Sequence, residues 1–242
     1  MAATTPPLDQ VDVHIDLMCP YAYQTSKWLR EVRDRHGVRL DWRFFSLEEI
    51  NLRPDQKHPW ERQWSWGWSM MRIGVLLRRE SMARLDRWYE VAGRALHEGS
   101  GHPHHPDGAR EILTEIGEDP DLVDAAMADP TTHDEIKSEH DKVVAAEGFG
   151  VPTMFFGAGT EAEQCLFGPV LIDPPSGDAA DRLWTAVSAW VEFPHLYELQ
   201  RPKTAADHQA IARTFEPYLA NRDWVSINRG KEVTFEGEKQ AH

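Results

Sequence analysis

The chain has 242 residues, 41% of them hydrophobic and 10% aromatic, enough for one large domain or a domain with a substantial insertion. It carries 26 basic against 40 acidic residues, a net charge of −14, which repels phosphate backbones and anionic lipid and argues against nucleic-acid or membrane partners. No apolar run approaches the roughly 20 residues of a membrane helix, and two cysteines, Cys19 and Cys165, make no disulfide framework, so a reducing, cytoplasmic setting is expected.

The opening "MAATTPPLDQ" lacks the basic patch and apolar core of a signal peptide and reads as a short disordered lead-in. "VDVHIDL" follows, with Val11, Val13, Ile15 and Leu17 alternating with Asp12, His14 and Asp16, the period of a half-buried strand. A helix from Pro20 to His36 comes next, with Ala22, Ser26, Leu29 and Val32 inward and Gly37 as its stop. "VRLDWRFFSL" then resumes the period of two, predicting a strand–helix–strand crossover with parallel strands.

From Pro54 to Glu147 only helical patches occur. Residues 60–82 and 84–99 predict a long helical hairpin, and three shorter helices follow. Asp119 and Thr131 or Thr132 are read as helix starts, Gly117 and Gly148 as stops. "VPTMFF", the turn "GAGT" and "EAEQCLFG" predict a β-hairpin. "GDAADRLWTAVSAWVEF" predicts a helix with Leu183, Ala186, Val187 and Trp190 on its inner face, and "ADHQAIARTFEPYLANR" in the tail reads as one docked helix. The order β-α-β, helical block, β-β-α describes an α/β, thioredoxin-like fold. Residues 11–53 and 148–200 would form it, 54–147 the helical insertion or lid, and 201–242 the C-terminal tail.

Cys19 falls at the mouth of the first helix, with Pro20 where proline is favoured. Unpaired amides and the helix dipole there stabilise a thiolate, the nucleophile for disulfides and electrophilic carbon. The competing reading is an inert, buried cysteine. In "GFGVPTMFF", Pro152 opens a strand and cannot donate to a ladder; a cis Val151–Pro152 bond would make a rigid corner and leave the preceding backbone to pair with an extended thiol ligand.

"CPYAY" and "GVPTMFF" together resemble the DsbA-like thioredoxin superfamily, which includes disulfide oxidoreductases, kappa-class glutathione transferases and 2-hydroxychromene-2-carboxylate isomerases. "FFSLEEINL", "LFGPVLIDPPSGDAADRLWTAV" and "FPHLYELQRPKT" look like its actinobacterial, mycothiol-dependent nitroreductase branch, over residues 11 to 204. The resemblance implies a thioredoxin fold with a helical lid, Cys19 as nucleophile, a cis Pro152, and mycothiol or another small thiol, with glutathione as the alternative. No GxGxxG, P-loop or metalloprotease pattern is present, so neither a nucleotide nor a metal is expected. The departure is Ala22, where a dithiol enzyme has its resolving cysteine, so any mixed disulfide on Cys19 must be released by an external thiol.

Around this centre Tyr21 is expected at the pocket mouth, and Asn51 either holds a substrate oxygen or stabilises a turn. Trp60, Trp64 and Trp68 have helical spacing and are read first as core, second as a pocket for a flat substrate; they could equally bury a homodimer interface. His97 ends a helix and is a candidate acid or base. His102, His104 and His105 read as solvated loop residues, His133 and His140 as surface, and Cys165 as core. Three functions stay open: a monothiol redox or transfer cycle through Cys19, a thiol-dependent cis–trans or ring-opening isomerase, and a non-catalytic thioredoxin-fold binding module.

Overall fold

The computed structural model describes residues 6–222. Its sheet has the strand order β2-β1-β3-β4, built from β1 (Gln10–Ile15), β2 (Arg39–Phe44), β3 (Thr153–Phe156) and β4 (Gln164–Phe167). β1 and β2 are parallel, with Val13 opposite Trp42, as the crossover through α1 (Pro20–His36) requires. β3 runs antiparallel to β1 and to β4, so "VPTMFF" and "EQCLF" form the expected hairpin. Gly37, at φ +70°, ends α1 in the left-handed conformation and donates to the Arg33 carbonyl. The fold is that of the thioredoxin-like α/β proteins.

β1 is buried on both faces, not one: Asp12, His14 and Asp16 are as enclosed as the valines between them. Three helices explain this. Trp28 of α1 and Trp184 of α8 (Asp178–Ala189) pack on the face carrying Val11, Val13 and Phe156. On the other face, α7 (Pro130–Ala145) lays Lys142 over the Phe155 ring, and its Glu139 receives Arg43 and the Phe44 amide. Arg43 in turn binds Asp12, which puts a charged layer between this face and α7. Asp12 Oδ1 and both His14 ring nitrogens, however, find no hydrogen-bond partner among the described residues.

Between β2 and β3 come α2 (Leu47–Ile50), α3 (Trp66–Glu80), α4 (Met82–His97), α5 (Pro106–Glu115), α6 (Leu122–Ala128) and α7. Several starts differ from the sequence reading. α3 begins at Trp66, because residues 60–65 hold a short 3-10 turn and a loop; Trp60 and Trp64 therefore do not share a helix with Trp68. α7 is capped by Asp129 with Pro130 in its first turn, ahead of Thr131. Asp119 makes a turn bond to the Asp121 amide, and α6 starts after Asp121. Beyond α7 the left-handed residue is Glu147, not Gly148. The inner face of α8 is Ala180, Trp184 and Ser188, continued by Val191, while Ala186 is exposed, since Trp28 and Phe156 draw Trp184 inward.

At the C-terminal end the expected single helix is two, α9 (Ala205–Thr214) and α10 (Glu216–Asn221), broken at Phe215. The lead-in is partly packed, with Pro6 buried; residues 1–5 and 223–242, where the rest of the lead-in and the frayed end were placed, lie outside the described residues.

Candidate active site

Cys19 is the N-cap of α1. Its extended backbone (φ −87°, ψ 112°) turns the chain from strand to helix, and its carbonyl accepts the first helical bond from Tyr23. Sγ accepts from the Ala22 amide at 3.4 Å and lies 3.9 Å from the Val151 carbonyl oxygen. Val151–Pro152 is cis, and the contact between Sγ and the Val151 carbonyl brings the cysteine–proline pair and this corner together across the mouth of the helix. Cys19 and Cys165 are both free thiols.

Burial opposes the thiolate that the helix mouth favours. Cys19 is only 5% exposed, and enclosure pushes its thiol up to about 12, against the pull of the Ala22 and Tyr21 amides; nearby Asp16 pushes it further up. The resting sulfur is thus a protonated thiol at neutral pH.

Asp16, which the strand pattern did not single out, sits beneath this turn. Its carboxylate accepts from the Met18 and Leu47 amides, both within 2.9 Å, and burial raises it to about 6. The only local signal was an acid three residues before the cysteine, in a strand that proves to be central. His97, the candidate acid or base, is 1% exposed; burial lowers it to about 4, and its Nε2–H donates to the Leu17 carbonyl at 2.9 Å. It bonds the loop that carries Cys19 and also lines the cleft described below. Tyr23 stacks on it at 4.9 Å.

Tyr21, in the first turn of α1, meets an unforeseen neighbour: its ring and that of Phe215 lie edge to face at 4.8 Å. Tyr218 approaches His97 at 5.2 Å from the same side. A cleft of about 690 Å³ is lined by His97 with Gln24, Lys27, Glu98 and Asp173, and by Thr214 and Pro217 from the tail. No pattern in the tail pointed to Phe215 or Tyr218, whose role depends on where a distant helix docks.

The remaining expected residues lie elsewhere. Asn51 caps α2, is exposed, and donates its amide to the Leu47 carbonyl, which is the turn-stabilising alternative. Trp64 is half-buried in the loop before α3, with its Nε1–H donating to the His104 carbonyl. Cys165 is half-buried on β4 opposite Phe155. Three histidine assignments change: His104 is fully buried, His140 is buried with its ring stacked on Phe45, and His133 packs edge-on against Trp60. Among the described residues no group of three or more His, Cys, Asp or Glu could hold a metal ion, and no helix is long and apolar enough to cross a membrane.

Comparison with known proteins shows the family and the fold. The chain is 56% identical over 223 residues to the uncharacterized protein Rv2286c of Mycobacterium tuberculosis, covering 92% of this chain and 95% of that one. Solved structures share the fold at low identity. A 2-hydroxychromene-2-carboxylate isomerase matches at 16% identity and TM-score 0.53, over 75% of this chain and 94% of that one. The cytosolic disulfide reductase DsbM of Pseudomonas aeruginosa matches at 14% and 0.51, over 74% and 98%. A probable DsbA oxidoreductase of Streptomyces coelicolor matches at 14% and 0.53, over 81% and 94%. The family model described as Rv2466c-like, mycothiol-dependent nitroreductase Rv2466c, matches residues 18–201, a span that holds both Cys19 and the cis Pro152, and the chain belongs to that family.

Proposed function

We propose that this protein is a cytoplasmic monothiol oxidoreductase or transferase, in which Cys19 works with a low-molecular-weight thiol on a small electrophilic or aromatic substrate. The observation that supports it most is Cys19 Sγ at the helix mouth, 3.4 Å from the Ala22 amide and facing the Val151 carbonyl, with no second sulfur at position 22. Mycothiol fits the lining of the adjacent cleft: the Gln24 amide, the Lys27–Glu98 pair, Asp173 and the Thr214 hydroxyl offer polar partners to a polyhydroxylated thiol. Glutathione is the alternative. Cys19, Tyr21, Val151 and Pro152 would hold the reacting sulfur, with Pro20 and Ala22 shaping the turn.

The cycle balances without a second protein cysteine. The Cys19 sulfur bonds to a substrate X while its proton passes to X, giving Cys19–S–XH. A small thiol RSH attacks that sulfur; XH2 leaves and Cys19–S–SR remains. A second RSH releases RSSR and returns Cys19 to the thiol, so X and two RSH become XH2 and RSSR. Ionisation of Cys19 has to follow hydration of the pocket, because the enclosed thiol holds its proton.

Burial of Cys19 and the alanine at 22 favour a second reading, thiol-dependent isomerisation, in which the small thiol itself adds to a conjugated double bond and leaves after rotation. Intact mass after incubation with oxidised mycothiol or glutathione tests the first reading. Wild type should gain one adduct and Cys19→Ser none. Thiol consumed in proportion to product supports reduction, and thiol needed only catalytically supports isomerisation. A wild-type protein that stays unmodified by either disulfide would sink the redox cycle.

A further inference from the structure

α9 and α10 pack beside the turn that carries Cys19, through Tyr21 and His97. Residues 192–206, which lead into them, are exposed throughout, and α9 buries no residue of its own. The buried contacts of the pair are three side chains at its end: Phe215, Tyr218 and Asn221. Phe215 meets Tyr21, two residues after Cys19, edge to face. Tyr218 leans on His97, the residue that bonds the Leu17 carbonyl two residues before Cys19. Asn221 acts as a clasp: its Nδ2 donates to the Leu96 carbonyl at 2.9 Å and the Gly99 carbonyl at 2.7 Å, groups that the end of α4 leaves without helical partners. Thr214 and Pro217 of the same segment also wall the polar cleft. The pair thus touches both sides of the cysteine turn and one side of the cleft, and it is joined to the body through an exposed strap.

We propose that α9–α10 is a removable cover in which Phe215 and Tyr218 are specificity-determining residues for what reaches Cys19, and Asn221 is the clasp that holds it shut. The proposal rests on the reading of Cys19 as the reacting group. Lifting the pair uncovers the sulfur and opens the cleft along α1, so a thiol whose polar body suits that cleft can enter while a bulky apolar electrophile is held off by two aromatic rings. Closing again over a bound thiol would exclude water from the exchange.

The test is the rate of Cys19 alkylation in the full chain without any small thiol, followed by peptide mass, using iodoacetamide and a bulky biotin-bearing maleimide. Asn221→Ala should label at Cys19 at least tenfold faster than wild type with both reagents. Phe215→Ala should speed the maleimide several-fold more than iodoacetamide. Rates at Cys19 within twofold of wild type in both variants would overturn the proposal. So would an equal acceleration at Cys165 with a lowered melting temperature, which would mean general loosening. Acceleration confined to Cys19, with no mixed disulfide in either wild type or Asn221→Ala, would support the cover and count against the catalytic reading instead.

Discussion

A cysteine at a helix N-cap has its sulfur aimed at the amides of the first turn, and the residue three positions on carries the nearest of them. In this chain that residue is Ala22, whose amide reaches Cys19 Sγ at 3.4 Å. A sulfur on the Cβ of residue 22 would stand one turn from Cys19 on the same helix mouth, the arrangement that lets two cysteines close a loop. Ala22→Cys is therefore expected to oxidise to an internal disulfide, read as a loss of two hydrogens in intact mass, and to gain protein-disulfide reductase activity. Two free thiols after oxidation would show that the turn does not present both sulfurs. This part of the site was legible in the sequence because it is local: Cys19, Pro20 and Ala22 are neighbours in one turn, and Val151–Pro152 is a dipeptide with a restricted backbone. The partners of Asn51, Trp64 and His97 were not, since whether a side chain faces a cleft, caps its own helix or bonds a backbone carbonyl is decided by elements distant in sequence.

Contact between elements explains how the Cys19 turn is held. α1 and α4 approach so closely that a Cβ at Gly93 would lie 2.5 and 2.6 Å from the Tyr23 ring carbons. Tyr23 is buried and stacks on His97, which bonds the loop before Cys19. Gly93→Ala must push that ring aside or part the helices, at a cost of about 1–3 kcal/mol. A lowered denaturant midpoint is expected, and an unchanged midpoint would mean that the ring has room to move. Strand and helix types were readable from periodicity, and α1 has the expected bounds. The spacing of Trp60, Trp64 and Trp68 misled for a physical reason: aromatic residues cluster in space through loops as readily as along a helix, and Trp60 meets Trp68 at 5.0 Å from a 3-10 turn. The inner face of α8 was likewise set by the partners of Trp184 and not by apolar periodicity alone.

At the scale of the whole molecule, the two-sided burial of the sheet encloses titratable groups, and this sets how the fold responds to acid. His14 lies in β1 under α7, fully enclosed against Phe155, with neither ring nitrogen hydrogen-bonded among the described residues. Burial, followed by the charges of Lys142 and Arg43, lowers it to about 3; burial lowers His97 and His140 to about 4. A histidine held neutral in the fold favours folding above the unfolded value of 6.5, and that contribution is lost as pH falls below it toward the folded value. Between pH 7 and pH 5 each of the three costs about 2 kcal/mol of stability by this linkage. Asp16 works the other way: raised to about 6, it takes up a proton in the fold first and returns about 1 kcal/mol over the same window. The histidines outweigh Asp16, so acid destabilises the fold. The urea midpoint is therefore expected to fall steeply from pH 7 to pH 5, and His14→Phe, which keeps a ring against Phe155, should remove about 2 kcal/mol of that difference whatever it does to stability at pH 7. A variant with the same pH dependence as wild type would show that His14 is already charged in the fold or reaches water there, and so that the layer between α7 and the sheet is wetter than its packing indicates.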